Sequence, residues 1–292
     1  QNFTVATGES VTAGDIVTFL NGEVKKGKTV GTTVSYGSEY VLNTGSTTFT
    51  SAAILSSTKF VVAYHDIGNS NYGTAIIGDV SGTTITYGSE YVFNTAGSFA
   101  DNYNTFVTAL SSTKFIVVYQ DTGNSSYGTA IIGDVSGTTI TYGSEYVFNS
   151  ATTAYVSVSA LSSTKFVVAY KDSTTYGTAI IGDVSGTTIT YGSEYVFNSA
   201  DNIYISPSAL SSTKFVVAYR DVGNSSYGTA IIGDVSGTTI TYGSEYVFNS
   251  ASEAYVSTTS LSSTKFVVAY QDSTTYGTAI IGDVSGTTIT YG

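Results

Sequence analysis

Five near-identical copies of one sequence unit occupy most of this chain of 292 residues. The phrase Leu-Ser-Ser-Thr-Lys-Phe occurs five times, and so does the phrase Tyr-Gly-Thr-Ala-Ile-Ile-Gly-Asp-Val-Ser-Gly. A third phrase, Tyr-Gly-Ser-Glu-Tyr, begins at Tyr36, and its truncated last start at Tyr291 lies 255 residues later, which is five times 51. A period of about 20 to 50 residues means that one supersecondary unit is arrayed many times. The repeat therefore constrains the fold more than any local motif does.

Each unit contains four segments with the pattern of β-strands. In the fourth copy we place strand A at about 204–210, strand B at 214–221, strand C at 228–235 and strand D at 238–249. Gly, Ser, Asn and Asp turn residues separate them, and none has a helical period. Strand B is a nearly continuous apolar run, which is typical of a strand covered on both faces. Small residues in strand A suit a crowded central axis.

Four-stranded units of about 50 residues are typical of β-propellers, and residues 31–292 resemble that fold in repeat length and strand count. The resemblance implies an all-β chain, a closed five-bladed β-propeller. Residues 32–43 copy a fourth strand with no A, B and C before it, and residues 287–292 are the first half of a fourth strand. We expect these two segments to complete the fifth blade together, because closure removes unpaired strand edges.

The predicted domain organisation has two parts. Residues 1–30 form a small N-terminal β-hairpin or attachment module, in which Asn21-Gly22 is a strong two-residue turn signal. This module resembles the short β-modules of phage virion and fibre proteins. Residues 31–292 form the propeller. Its repeat units are predicted at 37–88, 89–143, 144–192, 193–243 and 244–292, with 31–43 helping to close the last blade.

Composition narrows the function classes. The chain has no Cys, Met or Trp and a single His, which removes thiol chemistry, thiolate metal sites and repeated Ser/His catalytic systems. A net charge of −11 argues against nucleic acid as a partner. Charged residues make up only 11% of the chain, which is less than half of their share in typical soluble domains. No apolar run approaches the roughly 20 residues that span a bilayer. We therefore expect an extracellular or virion-surface protein without membrane insertion, metal or cofactor.

The copies differ mainly in the D-to-A connection and in the B-to-C hairpin. Both connections emerge on one face of an up-and-down blade, and loops on a rigid frame are the usual location of binding residues. The residue at the end of strand B varies before a repeated Asp, and aromatic residues such as Phe49 lie near the start of strand A. The predicted ligand-binding residues on this variable face are His65, Asp66, Gln120, Asp121, Lys171, Asp172, Arg220, Asp221, Gln271, Asp272, Tyr103, Tyr155, Tyr204 and Tyr255.

Amide, hydroxyl and carboxylate groups beside aromatic rings suit sugars, which present hydroxyls on one side and C–H patches on the other. The sequence thus predicts a non-enzymatic, lectin-like module that binds a surface glycan or a cell-surface receptor. Repeated sites would raise avidity. For single residues a structural role competes: the repeated Asp can cap its own hairpin, and the tyrosines can pack between blades.

Two alternatives remain at this level. The first is a structural fibre or decoration subunit that docks into a virion or fibre assembly through residues 1–30. The second and more remote one is a glycoside hydrolase, since Asp101, Asp201 and Glu253 break the repeat in the D-to-A connections and such enzymes use pairs of carboxylates.

Overall fold

A computed structural model describes residues 4–5, 17–20, 23–26, 37–95, 105–252 and 254–292. The chain forms two compact units, residues 1–39 and 40–292. In the first unit, strands β2 (Val17–Leu20) and β3 (Glu23–Lys26) make an antiparallel hairpin, and β1 (Thr4–Val5) pairs parallel with β3. The predicted turn residues Asn21 and Gly22 lie outside the described residues, between the end of β2 and the start of β3. An attachment role and the phage-like character of this unit stay predictions.

The second unit contains five antiparallel sheets of four strands each, and in every sheet the strands are neighbours in chain order. We call these sheets blades 1 to 5 and their strands A to D. Blade 1 comprises β4 (Thr47–Ser56), β5 (Lys59–Asp66), β6 (Tyr72–Ser81) and β7 (Thr84–Asn94). Blade 2 comprises β8 (Phe106–Ser111), β9 (Lys114–Asp121), β10 (Tyr127–Ser136) and β11 (Thr139–Thr152). Blade 3 comprises β12 (Ala154–Ser162), β13 (Lys165–Lys171), β14 (Gly177–Ser185) and β15 (Thr188–Asn198).

Blade 4 comprises β16 (Asn202–Ser211), β17 (Lys214–Asp221), β18 (Tyr227–Ser236) and β19 (Thr239–Ser252). Blade 5 comprises β20 (Ala254–Ser262), β21 (Lys265–Gln271), β22 (Gly277–Ser285) and the short β23 (Thr288–Tyr291). Single turns of 3-10 helix, Ile67–Asn69 and Thr122–Asn124, lie in two B-to-C hairpins. The predicted five units of four strands are confirmed.

The blades begin and end at other points than the predicted repeat units. Each sheet runs from strand A to strand D, whereas the predicted boundaries after residues 88, 143, 192 and 243 fall inside strands β7, β11, β15 and β19. A periodic sequence has a length but no intrinsic starting point. Only the hydrogen bonds between strands decide where a unit begins.

Strand A is the inner strand of each blade. Neighbouring A strands are linked by backbone N–H groups that donate to serine hydroxyls of the preceding blade, as from Val107 to Ser51 at 3.1 Å and from Thr258 to Ser206 at 2.9 Å. The small residues of strand A therefore allow close approach at a common axis, as the sequence predicted.

Apolar layers hold neighbouring blades together. Between blades 3 and 4, Leu161, Ile181 and Phe197 pack against Phe215 and Tyr219, and equivalent layers join blades 1 and 2, 2 and 3, and 4 and 5. Strand B is covered on both faces, and its central residues are fully buried in blades 2 to 4. Burial of apolar area at about 25 cal/mol per Å² makes these layers the main source of stability.

A polar contact that is repeated in blades 1 to 4 accompanies these layers. The hydroxyl of Tyr119 donates to Oε1 of Glu145 at 2.5 Å, and Nδ2 of Asn94 in the preceding blade donates to the same oxygen at 3.0 Å. Burial, together with the Glu145 hydrogen bond, raises the pKa of Tyr119 far above its usual value. Equivalent Tyr–Glu pairs occur in blades 1, 3 and 4. The tyrosines of strand B are therefore packing residues.

Ring closure stays a prediction. Among the described residues, no strand pairing joins blade 5 to blade 1, and none of the core clusters contains residues of both blades. Residues 37–46, most of which were expected to help complete the fifth blade, form no strand. The fourth strand of the fifth sheet is therefore β23 alone, with four residues.

Candidate functional site

The D-to-A and B-to-C connections that the structure describes lie on one face, as predicted. Backbone hydrogen bonds join them directly: Ile67 N–H donates to the carbonyl of Ser46 at 3.0 Å, and Val222 N–H donates to the carbonyl of Asp201 at 2.9 Å. We keep the name variable face for this surface. The opposite face repeats one contact, in which a lysine such as Lys114 bonds the Asp of strand C and the carbonyl of a glycine in the next blade.

The repeated Asp at the start of each B-to-C hairpin caps that hairpin. Asp172 Oδ1 accepts from the backbone N–H groups of Thr174 at 2.8 Å and Tyr176 at 3.0 Å, and Asp221 accepts from Asn224 N–H at 3.0 Å. The equivalent residues Asp66, Asp121 and Asp272 make the same kind of contact. The hydrogen bonds lower the pKa of Asp272, whereas burial raises that of Asp121. Contact of these carboxylates with a ligand stays a prediction.

The variable residue before that Asp anchors the connection that leaves its own blade. Nε2 of Gln120 donates to the carbonyl of Thr153 at 2.7 Å. The ammonium of Lys171 pairs with the carboxylate of Asp201 at 2.5 Å. In blade 4, Nη2 of Arg220 donates to the hydroxyl of Ser252 at 2.9 Å. Gln120 is buried, while Lys171 and Arg220 are half-buried.

His65 and Gln271 hold the same position in blades 1 and 5. His65 is 3% exposed, and its ring lies 5.9 Å from that of Phe49 in edge-to-face geometry. Burial lowers the pKa of His65 to about 4, so the imidazole is neutral at physiological pH. Gln271 is half-buried.

An aromatic residue occupies a strained position near the start of strand A in four blades. These residues, which we call the aromatic collar, have left-handed φ angles of 52°, 49°, 54° and 57°; they are Phe49, Tyr155, Tyr204 and Tyr255. Each lies in a β-bulge, because the pairing with strand B skips two residues at that point. A left-handed conformation costs a residue with a side chain about 1–2 kcal/mol. A bulge re-aims a side chain, and bulges are frequent beside functional sites.

The three tyrosines of the collar, in blades 3 to 5, lie next to one another around the inner strands. The ring centroids of Tyr155 and Tyr204 are 6.1 Å apart, and those of Tyr204 and Tyr255 are 5.2 Å apart. The ammonium of Lys171 lies 5.8 Å from the Tyr155 ring centroid. A cavity of about 240 Å³ lies against the collar, lined by Phe106, Tyr155, Tyr204, Ile205, Tyr255 and Val256. Its location is the end of the inner strands where the D-to-A connections arrive.

Equivalent clefts lie between neighbouring blades on the variable face. A cleft of about 470 Å³ is lined by Asn94, Asp121 and Glu145 beside Phe93, and one of about 340 Å³ is lined by the corresponding residues two blades further on. Their polar groups are carboxylates and amides, which hydrogen-bond hydroxyls.

The structure brings Tyr155, Tyr204 and Tyr255 together, while Tyr103 lies outside the described residues, as do Asp101 and Glu253. The sequence interpretation missed Phe106. The sequence does contain a signal for it. Phe106 stands a fixed distance before the repeated Leu at Leu110, and the residue at that position is serine in the other four copies.

Neither a metal site nor a membrane helix is found in the described ranges. No three His, Asp or Glu side chains there are grouped so that they could hold a metal ion. None of the helices there is long and apolar enough to cross a membrane.

No protein-family model matches this sequence, and no curated protein matches it either. Solved structures do resemble it. A mutant of AofleA from Arthrobotrys oligospora has a TM-score of 0.55 at 11% identity, over 82% of this chain and 70% of that one. The SapL1 lectin, in complex with alpha methyl fucoside, has a TM-score of 0.51 at 14% identity, over 85% and 81%.

The NanB sialidase of Streptococcus pneumoniae has a TM-score of 0.50 at 16% identity, over 70% of this chain but only 33% of the sialidase. At such identities the likeness concerns the fold alone. Together with the five four-stranded sheets, it shows that residues 47–291 have the β-propeller fold, with five blades.

Proposed function

We propose that this propeller binds neutral glycans on its variable face without chemical conversion, and that it does so outside cells or on a virion surface. The observation that carries the proposal is the aromatic collar. Aromatic rings stack on the C–H patches of sugars, while nearby hydroxyl, amide and carboxylate groups bond the sugar hydroxyls.

The strain at the collar supports a role beyond packing. Glycine adopts left-handed φ angles without steric cost, yet four copies of the unit have Phe or Tyr there. The adjacent cavity of about 240 Å³ is smaller than the roughly 300–1,000 Å³ typical of drug-sized ligands. Such a volume favours one sugar residue at the end of a glycan.

Charge favours a neutral glycan over an acidic one. The described part of the variable face has two cationic side chains, Lys171 and Arg220, and Lys171 is already paired with Asp201. It also has the five hairpin-capping Asp residues. An anionic sugar would approach a surface of its own sign.

Repeated clefts between blades support multivalent binding. Because the clefts at Asp121 and Asp221 have the same polar lining, a branched or repeating glycan could occupy several of them at once. Linked weak sites raise avidity by about 10²–10⁴ without new contacts. The fold likeness to the SapL1 lectin is consistent with this proposal.

Because the chain resembles a sialidase in fold, the hydrolase alternative is tested as well. A direct assay distinguishes glycan binding from glycan hydrolysis. Of the three acids considered for catalysis, Asp201 forms an ion pair with Lys171. If the hydrolase alternative holds, bound glycans are cleaved on prolonged incubation. If the proposal holds, they are recovered intact.

A glycan array with matched variants tests the proposal. Tyr155→Ala and Tyr204→Ala each remove a collar ring, and Tyr176→Ala removes a half-exposed hairpin tyrosine as the control. We expect the collar variants to weaken binding roughly 2–10-fold per site, which corresponds to about 0.5–1.5 kcal/mol per aromatic contact. The control should bind like the unaltered protein.

Two results would contradict the proposal. Binding that survives in both collar variants would remove the collar as the site. If the full-length protein binds no glycan and assembles only while residues 1–30 are present, the structural alternative explains the chain better.

A further inference from the structure

We propose that the cavity beside the aromatic collar takes the methyl group of a sugar, and that Phe106 makes the cavity selective for it. Two classes of sugar carry such a group, the 6-deoxyhexoses and the N-acetylhexosamines. This inference rests on the proposed glycan binding and deepens it, because it names the chemical feature that the collar cavity recognises.

The collar cavity has an apolar lining. Its six lining residues come from the inner strands of blades 2 to 5; they are Phe106, Tyr155, Tyr204, Ile205, Tyr255 and Val256. The polar side-chain atoms among them are the three tyrosine hydroxyls. Ile205 is buried, while Phe106 and Val256 are half-buried. A methyl group gains free energy in such surroundings, whereas a hydroxyl group loses the hydrogen bonds that it makes in water.

The clefts between blades have the opposite character. The cleft between blades 1 and 2 is lined by Asn94, Asp121 and Glu145, which are an amide and two carboxylates. Such groups hydrogen-bond the hydroxyls of a sugar. The hydroxyl groups of a bound glycan therefore suit the clefts, and the collar cavity suits an apolar group.

Phe106 is the lining residue that departs from the repeat. Its counterparts in the other four copies are serines, namely Ser51, Ser157, Ser206 and Ser257. Phe106 borders the apolar layer between blades 2 and 3. The equivalent layer between blades 3 and 4 forms with Ser157 at that position, so packing between blades does not require an aromatic residue there.

The phenyl ring of Phe106 also replaces a hydrogen-bond acceptor. The hydroxyl of Ser51 accepts from the backbone N–H of Val107 at 3.1 Å, and the hydroxyl of Ser206 accepts from that of Thr258 at 2.9 Å. A phenyl ring has no oxygen, so the inner strands of blades 2 and 3 cannot be joined in this way. A role in the cavity explains why one blade gives up a contact that the repeat supplies.

The expected selectivity follows from the cost of transferring each group from water. One buried methyl group raises the affinity about 4-fold. A hydroxyl that is buried without a hydrogen-bond partner lowers the affinity by a further factor of about 5 or more. A 6-deoxyhexose should therefore bind about 20-fold more tightly than the hexose with a hydroxyl at C6, and an N-acetyl sugar about 4-fold more tightly than its N-formyl analogue.

NMR titrations of the full-length protein with matched sugars measure these preferences. L-rhamnose with L-mannose, and L-fucose with L-galactose, are pairs that differ only at C6. N-acetylglucosamine and N-formylglucosamine differ only by the methyl group of the acyl substituent. A preference confined to the C6 pairs identifies a 6-deoxyhexose as the ligand, and one confined to the acyl pair identifies an N-acetylhexosamine.

Two further outcomes distinguish this inference from the proposed function. If the protein binds glycans but prefers neither member of any pair, the inference is overturned while the proposed function stands. If it binds no glycan at all, the proposed function fails and this inference fails with it.

Phe106→Ser tests the residue itself, because it introduces the side chain that the other four copies have. We expect the preference for the methyl-bearing sugar to fall below about 2-fold, and Phe106→Leu, which keeps an apolar side chain, to retain it. The control Tyr176→Ala changes a residue outside the cavity and should retain the full preference.

Val256→Thr is a second test that does not depend on Phe106. Threonine has nearly the shape of valine and adds a hydroxyl to the same cavity, so a hydroxylated sugar gains a partner and the preference narrows. If Phe106→Ser does not fold, Val256→Thr decides. A methyl preference that is unchanged in Val256→Thr, and in Phe106→Ser where it folds, would overturn the proposal.

Discussion

Replacing Tyr204 by alanine and by glycine separates its binding role from its structural cost. Tyr204 has a φ of 54° and contacts the rings of Tyr155 and Tyr255. Both substitutions remove the aromatic ring. Only glycine also relieves the left-handed backbone, because it has no Cβ.

The magnitudes follow from these contacts. Two ring pairs are worth about 0.5–1.5 kcal/mol each, so Tyr204→Ala should lower the free energy of unfolding by about 1–3 kcal/mol. Glycine recovers the strain of about 1–2 kcal/mol and costs about 0.5–1 kcal/mol in unfolded-state entropy. We therefore expect Tyr204→Gly to be more stable than Tyr204→Ala by up to about 1.5 kcal/mol, while both variants lose glycan binding equally.

Chemical denaturation of both variants measures the difference, and Tyr176 supplies the control. Tyr176 is not among the left-handed residues, so the order of stability should reverse there, with alanine above glycine by about 0.5–1 kcal/mol. If Tyr204→Ala is at least as stable as Tyr204→Gly, the collar backbone is not strained and the main support for its functional role disappears.

Three further predictions concern individual contacts. The folded protein holds the pKa of His65 at about 4, below its usual 6.5, so the protein should lose stability as pH falls from about 6.5 to about 4; His65→Gln should lose less in denaturation midpoints measured across that range. Tyr119→Phe removes a buried hydroxyl that donates to Glu145, and we expect calorimetry to show a loss of about 1–2 kcal/mol. Lys171 and Asp201 are partly exposed, so a double-mutant cycle with Lys171→Gln and Asp201→Asn should give a coupling below about 1 kcal/mol that shrinks at 1 M salt.

The repeat made the fold predictable. Five copies in one chain reveal which positions every blade requires, and the boundaries placed at 214–221 for strand B of the fourth copy match β17, Lys214–Asp221. The location of both variable connections on one face follows from up-and-down topology alone. Backbone hydrogen bonds such as that from Ile67 to Ser46 confirm it.

The roles of the variable residues were not predictable in the same way. Gln120 bonds a carbonyl at residue 153, and a sequence pattern shows no contact across 33 residues. The bulge at Tyr204 was hidden as well, because no glycine marks a left-handed position there. Both features depend on how strand A meets strand B, which is decided by pairing register and not by local composition.

Side chains that are constant among the five copies and side chains that vary make contacts with different parts of the propeller. The constant contacts cross from one blade to the next, as when Lys114 bonds Gly186 or Asn94 bonds Glu145. A change at either position would disturb two blades at once.

The variable contacts instead join a blade to the segment that leaves it, as in the pair of Lys171 with Asp201 or of Arg220 with Ser252. The side chains of a connection can therefore differ from blade to blade while its backbone contact with the next blade, as from Val222 to Asp201, is kept. Such variation would serve the recognition surface proposed above, because each blade can then adapt its connections to a different part of one ligand.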